Sequence, residues 1–447
     1  MPCASDSAPR PPTHWHRRVW TLTWPVVLAN LSTPLVGAVD TAVMGRLPDP
    51  AYIGAVAVGA AVFNAIYWMF GFLRMGTTGL VAQAAGGGRA AEIAAIAARA
   101  VVVGAGLGVL LVALGRPLAA LGLWIFPAST QVEDLAATYL TLRIWGAPAL
   151  LSHFAVLGAL FGLQRMGAAL LVTVLLNVAN VALDLLFVVV LGWGVAGVAL
   201  GTAISEWLAA GVGLVLLLRI LAARGAVRPS REVLLQRDRL LALFGVSANL
   251  IVRSFFVQLP FFAFTVLGAG LGDRTLAANA VLLQLFFFMS FGLDALAHTA
   301  ETLTGNAFGA RDRATLRAAA GYTLGWSVLV ALAVSGFYAL AGGVLIDLIT
   351  TLPEVRASAR AYLPWMVLAP LVAVGAFHLD GVFIGTTRTA ELRNSMFVAV
   401  LCFIATVWLT LDHLGNHGLW LAMTVFMVAR TVLLAARYPR LERLAAP

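Results

Sequence analysis

The segment VWTLTWPVVLANLSTPLVGAVDTAVMGR, residues 19–46, decides the class of fold. It is apolar and long enough to cross about 30 Å of hydrocarbon at about 1.5 Å per residue. It carries one carboxylate, Asp40, and two prolines, Pro25 and Pro34. A charge at that depth is costly and faces a bundle interior or a water-filled cavity, while proline bends a helix. We therefore predict a bendable membrane helix with a functional carboxylate.

Composition places the whole chain in the same class as this segment. Of its 447 residues 61% are hydrophobic and only 11% are charged, and its mean hydropathy is +0.94. A soluble domain needs a more polar surface, and apolar runs recur along the chain, so we predict an all-α polytopic membrane protein. The two cysteines, Cys3 and Cys402, suggest neither a disulfide framework nor a metal site.

Twelve transmembrane helices are predicted from the apolar runs. They cover residues 19–46, 52–85, 92–115, 135–160, 168–191, 196–220, 241–267, 276–305, 314–341, 357–384, 391–412 and 416–437. All 29 basic residues are arginines, and most of those near segment ends fall on one side. This asymmetry follows the positive-inside rule, so the net charge of +9 does not indicate nucleic acid, and both termini are predicted to be cytoplasmic.

A basic linker divides the chain into two similar halves. GFLRMGTTG from Gly71 is similar to GLDALAHTA from Gly292, and residues 194–201 are similar to residues 415–422, both at an offset of 221. Six spans per half give the two repeats the same topology, which is typical of some secondary transporters. The predicted parts are a disordered tail 1–18, a six-helix lobe 19–220, a basic linker 221–240, a second six-helix lobe 241–437 and a tail 438–447.

Buried polar residues differ between the two halves. Asn177, Asn180 and Asp184 share one face of the fifth span, because they lie at i, i+3 and i+7. At an offset of 223 the second half has the apolar residues Val400, Phe403 and Val407. Asp40 and Asp184 lie at comparable depth in the first half, so we expect them to share one cavity.

Two neighbouring carboxylates in an apolar cavity can bind and release a proton. Asn180 and the hydroxyl group of Thr202 are further oxygen ligands, so Asp40 and Asp184 are also able to hold Na⁺, and Tyr139 offers another hydroxyl group. The alternative is a polar contact that only fixes helix packing. The sequence leaves the coupling ion open between H⁺ and Na⁺.

The second half carries its own charges. Asp294, His298 and Glu301 share one face of the eighth span, and Arg74 and Arg253 are expected to pair with Asp294 and Glu301. Arg74 and Asp294 lie at nearly equivalent positions of the repeats, so we predict that they form a latch between the lobes. The alternative is pairing of Arg253 with Asp294 inside one lobe. No metal site is expected, because nothing fixes a ligand geometry.

The sequence shows no nucleotide-binding loop and no catalytic triad in a polar setting, so an ion gradient rather than a cofactor is the expected energy source and no enzyme activity is predicted. An ion channel is disfavoured, because no pore-loop filter signature is present. The expected partners are a small amphipathic substrate and membrane lipid, without nucleic acid, and the protein is expected to be a monomer.

Several ordered motifs resemble the multidrug and toxic compound extrusion (MATE) family, and more narrowly its DNA-damage-inducible (DinF) branch. They are VDTAVMGRL at 39–47, GFLRMGTTGLVAQ at 71–83, NVANVALDLLFV at 177–188, GLDALAHTAETLTGNAFGARD at 292–312, LDGVFIGTTRTAELRNSM at 379–396 and LGNHGLWLAMTVFM at 414–427. The resemblance implies a V-shaped pair of lobes that exports amphipathic, often cationic compounds in exchange for H⁺ or Na⁺.

The resemblance also implies roles for particular residues. The acidic residues of the family's N-terminal lobe map onto Asp40 and Asp184, and its helix bend maps onto Pro25. Its companion polar groups map onto Asn180, Tyr139 and Thr202. Other branches place acidic ion ligands in the seventh span, and residues 241–267 contain none. The main alternative is a lipid-linked oligosaccharide flippase of the same superfamily, which typically has about fourteen spans and a more cationic cavity.

Overall fold

The computed structural model describes residues 12–45, 49–226, 229–234 and 236–446. Within those ranges the backbone alone is described at positions 12–13, 33–36, 38, 40–41 and 231. The prediction of a disordered tail over residues 1–11 therefore lies outside the described residues. The side chain of Asp40 also lies outside them.

The described residues form seventeen α-helices. Their bounds are α1 Pro12–Met44, α2 Ala51–Met69, α3 Phe72–Gly86, α4 Ala90–Ala113, α5 Gly115–Ile125, α6 Thr130–Arg143, α7 Ala147–Gly162, α8 Met166–Asp184, α9 Gly194–Ala223, α10 Arg231–Leu234, α11 Arg237–Gly270, α12 Asp273–Gly309, α13 Arg313–Ile349, α14 Pro353–Gly385, α15 Thr389–Leu414, α16 Asn416–Ala435 and α17 Tyr438–Leu444. A 3₁₀ turn, Ile144–Gly146, joins α6 to α7, and a π-helical turn, Leu185–Val190, extends α8.

Eleven helical stretches among the described residues are long and apolar enough to cross a membrane. Two of them combine α2 with α3 and α6 with α7, and α1, with 33 residues, corresponds to the first predicted span. Three details differ from prediction. Helix α1 begins at Pro12, so residues 12–18 are helical rather than disordered, and the short helices α5 and α17 were not expected.

The backbone shows that the two halves are repeats. Gly88 and Arg311 both have positive φ, as do Gln164 and Thr387, and each pair is separated by 223 residues. Such conformations are uncommon outside glycine, so their recurrence at one offset marks equivalent loops.

Close helix crossings recur at the same offset. A Cβ added to Gly158 would lie 2.5 Å from the carbonyl oxygen of Arg74, and one added to Gly381 would lie 2.2 Å from that of Ala297. The repeat of α3 in α12 is therefore offset by 223 residues, and the offset of 221 predicted for these helices is wrong by two. Alignment by sequence similarity alone gave the wrong offset, because both segments are rich in small residues and offer several near-equivalent alignments.

The halves meet at the ends of α3 and α12 in a reciprocal contact. A Cβ added to Gly86 would lie 1.9 Å from the carbonyl oxygen of Asn306, and one added to Gly309 would lie 2.0 Å from that of Gln83. Only glycine allows backbones to approach so closely. We call Gln83, Gly86, Asn306 and Gly309 the cytoplasmic seam, since these helix ends are predicted to face the cytoplasm.

Side-chain amides reinforce the cytoplasmic seam symmetrically. The Nε2 atom of Gln83 donates to the carbonyl oxygen of Gly385 at 3.2 Å, and the Nδ2 atom of Asn306 donates to that of Gly162 at 3.2 Å. Gly162 ends α7 and Gly385 ends α14, so each amide closes onto the last residue of a helix in the opposite half. This end of the molecule is firmly closed.

Nearer the predicted outer side, the halves are separated. A cleft of about 620 Å³ lies between α2 and α11. Its lining residues include Trp68 and Met69 from the first half and Phe255 and Phe262 from the second. The halves are therefore in close contact at the cytoplasmic seam and leave a cleft farther from it.

Candidate functional site

The candidate site of the first half is centred on Asp184, at the end of α8. Its side chain is fully buried, and it lies against Gly201 of α9. A Cβ at Gly201 would lie only 2.5 Å from the Oδ1 atom of Asp184. The glycine therefore creates the space that the carboxylate occupies.

An amide group on α8 is hydrogen-bonded to a hydroxyl group on α9. The Nδ2 atom of Asn180 donates to the Oγ1 atom of Thr202 at 3.0 Å, and Asn180 is 3% exposed. The Oγ1 atom of Thr202 itself donates to the carbonyl oxygen of Val198. These bonds orient the Oδ1 atom of Asn180 away from Thr202, which leaves an oxygen atom to face an ion or a proton donor.

Tyr139 is buried in the same half, on α6. Its ring packs against Gly59 of α2, where a Cβ would lie 2.3 Å from the Cδ1 atom. The ring of Tyr139 is thus packed closely against the backbone of α2. The shared cavity predicted for Asp40 and Asp184 stays a prediction, because the side chain of Asp40 is outside the described residues.

Helix α1 connects both halves. The Nδ2 atom of Asn177 donates to the Oγ atom of Ser32 at 2.6 Å, which fastens α1 to α8. On its other side the hydroxyl groups of Thr23 and Thr299 are 2.9 Å apart. Pro25 is buried, and α1 continues through it in this structure. Its role as the bend of a moving helix stays a prediction.

A second carboxylate of the first half has a partner that the sequence did not reveal. Glu206 is 2% exposed, and its Oε1 atom accepts hydrogen bonds from the Nη1 and Nη2 atoms of Arg143 at 3.2 and 3.0 Å. The guanidinium group also lies over the rings of Phe63 and Tyr67. The two charged residues are 63 positions apart, and the turn Ile144–Gly146 that brings them together has no clear sequence signal.

The second half buries a different arrangement of charges. The Oδ2 atom of Asp380 on α14 accepts hydrogen bonds from Arg253 on α11 and from Arg430 on α16, the latter at 2.7 Å. The pairing of Arg253 with Asp294 or Glu301 that we predicted is therefore wrong in this structure. Arg430 was not singled out from the sequence, because three helices that are distant along the chain converge only in the fold.

Arg74 crosses between the halves to Glu301, one of the two partners expected for it, but not to Asp294, its partner in the predicted latch. Its Nη1 atom lies 3.6 Å from the Oε2 atom of Glu301 and 3.5 Å from the Nδ1 atom of His298. Asp294 makes no ion pair with any residue that the structure describes. The latch between Arg74 and Asp294 is absent here, because the true repeat offset puts Ala297, not Asp294, at the depth of Arg74.

The positions in the second half that correspond to the candidate site are apolar. Val400 and Phe403 are 3% and 2% exposed and belong to the core. Within the described part of the chain, no three His, Cys, Asp or Glu side chains are close enough to hold a metal ion. The second half therefore does not repeat the polar face of α8 at these positions.

Comparison with known proteins gives consistent matches over nearly the full length. A family model described as MatE matches residues 25–186 and 250–411. DNA damage-inducible protein F of Escherichia coli is 40% identical over 95% of this chain and 92% of its own length. Protein DETOXIFICATION 44, chloroplastic, of Arabidopsis thaliana is 26% identical over 93% and 80%. A crystal structure of MATE in the bent conformation superposes with a TM-score of 0.85 at 20% identity, covering 96% of both chains.

Proposed function

The chain belongs to the MATE family of multidrug and toxic compound extrusion transporters, and from that premise we propose that it exports amphipathic, often cationic compounds in exchange for H⁺ or Na⁺. MATE transporters use ion gradients and are not enzymes, and the two-lobe helical fold matches theirs. We place the protein in a bacterial inner membrane as a monomer with both termini in the cytoplasm.

The observation that carries the proposal is the buried carboxylate of Asp184, which lies against Gly201 and one turn along α8 from Asn180, the amide that is bonded to Thr202. A carboxylate, an amide oxygen and a hydroxyl group can accept a proton or can ligate Na⁺. Asp40 is proposed as the second acid and Tyr139 as a further hydroxyl group. Such a site offers oxygen ligands for an ion in the first half, whereas the equivalent positions of the second half are apolar.

The shape of the molecule supports alternating access. The cytoplasmic seam is closed, while the cleft between α2 and α11 is open. A ligand shifts such an equilibrium only through its different affinity for the two states. Ion binding at Asp184 would act on α8, to which Ser32 of α1 is bonded, so α1 is proposed as the element that moves, with Pro25 as its bend.

The test is gradient-driven export from proteoliposomes, with H⁺ and Na⁺ gradients imposed separately. We expect Asp40→Asn and Asp184→Asn each to abolish coupled export. A membrane potential of about 100 mV supplies roughly 2.3 kcal/mol per net charge moved, so for an uncharged substrate exchanged with one ion, uncoupling removes about a 50-fold accumulation ratio.

The matched control is Asp412→Asn, which neutralises an exposed carboxylate at the end of α15. It should transport like the unmodified protein. Full gradient-driven export by both Asp40→Asn and Asp184→Asn would falsify the proposed coupling site. Dependence on one gradient alone would identify the ion.

A further inference from the structure

A polar pocket of about 350 Å³ lies at the predicted cytoplasmic end of the first half, beside the cytoplasmic seam. It is lined by Ala85, Leu163, Gln164, Arg165, Arg224 and Asn306. Two of these side chains are cationic and none is acidic. Asn306 is the only lining residue from the second half, so the pocket spans the boundary between the halves.

The two arginines lack the carboxylate partners that some other arginines of this surface have. Arg89 pairs with Glu92 at 2.7 Å, and Arg317 pairs with Glu442 at 2.7 Å. The Arg165 side chain has no hydrogen-bond or ion-pair partner among the described residues, and Arg224 reaches only the carbonyl oxygen of Leu163, at 3.5 Å. The pocket therefore holds two positive charges that no carboxylate in the described chain neutralises.

The groups around the pocket show that its positive charges repel one another. Partial burial first, and then the charge of Arg165, lower the pKa of the Arg224 guanidinium group. The Nη2 atom of Arg18 donates to the Oε1 atom of Gln164 at 3.1 Å, which adds a third cation at the rim and turns the Nε2 donor of Gln164 outward. A bound anion would relieve the repulsion and accept these hydrogen bonds.

The repeat explains how the first half makes room for the pocket. At an offset of 223, Arg388 corresponds to Arg165 and Phe308 corresponds to Ala85. In the second half the guanidinium group of Arg388 lies over the Phe308 ring, 5.8 Å from its centroid. Where the second half has an aromatic ring, the first half has the methyl group of Ala85, and the space that remains is the pocket.

We propose that this pocket binds a phosphate group, either of an anionic phospholipid or of a soluble phosphate. Guanidinium groups match phosphate in charge and in hydrogen-bond geometry, and the pocket lies among helix ends that are predicted to face the cytoplasm, the side on which anionic headgroups attract basic residues. Because Asn306 forms one wall, the complete pocket exists only while the cytoplasmic seam is closed. Bound phosphate therefore stabilises the closed seam by mass action.

The experiment compares two probes on the purified, full-length protein. Inorganic phosphate is titrated in detergent at constant ionic strength, with melting temperature as the readout. In parallel, lipid retained from nanodiscs of phosphatidylcholine with or without phosphatidylglycerol is measured by native mass spectrometry. Stabilisation by phosphate identifies a soluble anion, and selective retention of phosphatidylglycerol identifies a lipid headgroup; either supports the pocket.

Three variants make the test specific. Combined Arg165→Gln and Arg224→Gln should weaken binding by roughly 10- to 100-fold, as expected for lost charge-assisted hydrogen bonds. Ala85→Phe should weaken binding similarly with every charge retained, because it supplies the ring that fills the corresponding space around Arg388. Arg388→Gln, the repeat-equivalent control, should leave binding unchanged within about twofold.

The seam provides an independent readout. Hydrogen exchange at the ends of α3 and α12 should slow when the probe binds to the unmodified protein, but not to the double variant. The proposal is overturned if neither probe distinguishes the unmodified protein from the double variant. It is also overturned if Arg388→Gln loses as much binding as the double variant, since the effect would then reflect surface charge in general.

Discussion

In the first half of the chain the buried carboxylate of Asp184 lies beside an amide and a hydroxyl group, whereas in the second half the buried Asp380 lies between two guanidinium groups. The helices that carry these groups follow the same plan, as the recurring positive φ values show. The difference lies in the side chains and in the backbone that follows Asp184, where α8 continues as the π-helical turn Leu185–Val190 while α15 stays α-helical. We propose that Asp380, held between two cations, belongs to the scaffold and that Asp184 is the acid that exchanges an ion.

The seam shows the opposite behaviour, because there the halves have matching side chains. Gln83 and Asn306 both donate to a helix-terminal carbonyl oxygen, and Gly86 and Gly309 both allow backbone contact. Closing the two halves against each other requires the same contact from each of them, so the repeat is retained. Under the proposed function a single ion site is sufficient, so the second half does not need to repeat it.

The largest effect is expected from Asp380→Asn. Removing this charge leaves Arg253 and Arg430 buried beside each other, which should destabilise the protein by about 3–5 kcal/mol and lower its melting temperature. Asp347→Asn is the control, because Asp347 pairs with Arg360 at the surface and should contribute only about 0–1 kcal/mol. Equal melting temperatures for the two variants would contradict a scaffold role for Asp380.

A smaller and symmetrical effect is expected at the seam. Gly86→Ala and Gly309→Ala each place a methyl group within 2.0 Å of a backbone atom of the opposite half. Such overpacking costs about 1–3 kcal/mol, so both variants should speed hydrogen exchange at the ends of α3 and α12 to a similar extent. Gly321→Ala, which meets open space, controls for the helix propensity of alanine. A response to only one of the two substitutions would show that the seam is not reciprocal.

The next effect should be confined to ion coupling. Gly201→Ala would place a methyl group 2.5 Å from the Oδ1 atom of Asp184 and displace the carboxylate. We expect coupling-ion affinity to fall by about tenfold, or about 1.4 kcal/mol, in a transport titration. Gly211→Ala on the same helix meets nothing and is the matched control. Identical ion dependence in both variants would show that Gly201 does not position Asp184.

Much of this architecture could be predicted from the sequence, because lipid demands long apolar helices and repeated spans leave a repeated pattern. The unequal polar faces of α8 and α15 were also visible, since Asn180 and Asp184 recur at helical spacing. The partners of the charged residues could not be predicted from the sequence. Arg143 meets Glu206 through a 3₁₀ turn, and Arg430 reaches Asp380 across helices that are far apart in sequence. Helical spacing identifies a face of one helix, but it does not say which other helix that face meets.

The register of the repeat was the most consequential error. A shift of two residues along α12 moved Asp294 to the depth of Arg74 and produced a latch that the structure replaces with a contact to Glu301. Two residues are about 3 Å along a helix and rotate a side chain by more than half a turn. Loop residues with positive φ, such as Gln164 and Thr387, set the register correctly, but only a structure reveals them.

The smallest expected effect tests how far the halves differ at a helix start. Asp312 precedes α13 and accepts a hydrogen bond from the backbone N–H group of Thr315 at 2.9 Å, whereas its counterpart Arg89 gives α4 no side-chain cap. Asp312→Ala should therefore cost about 1 kcal/mol at pH 7, and Arg89→Ala should not remove a cap.

This effect should depend on pH in a defined direction. Partial burial tends to raise the pKa of Asp312, but the hydrogen bonds from Thr315 outweigh it and hold that pKa below the ordinary value of 3.8. The carboxylate is thus charged more readily in the folded state, so its contribution is complete above pH 3.8 and is lost as pH falls through the lower folded pKa. The difference in melting temperature between Asp312→Ala and the unmodified protein should shrink over that range. A difference that stays constant into the acid range would mean that the capping bond does not require the ionised form.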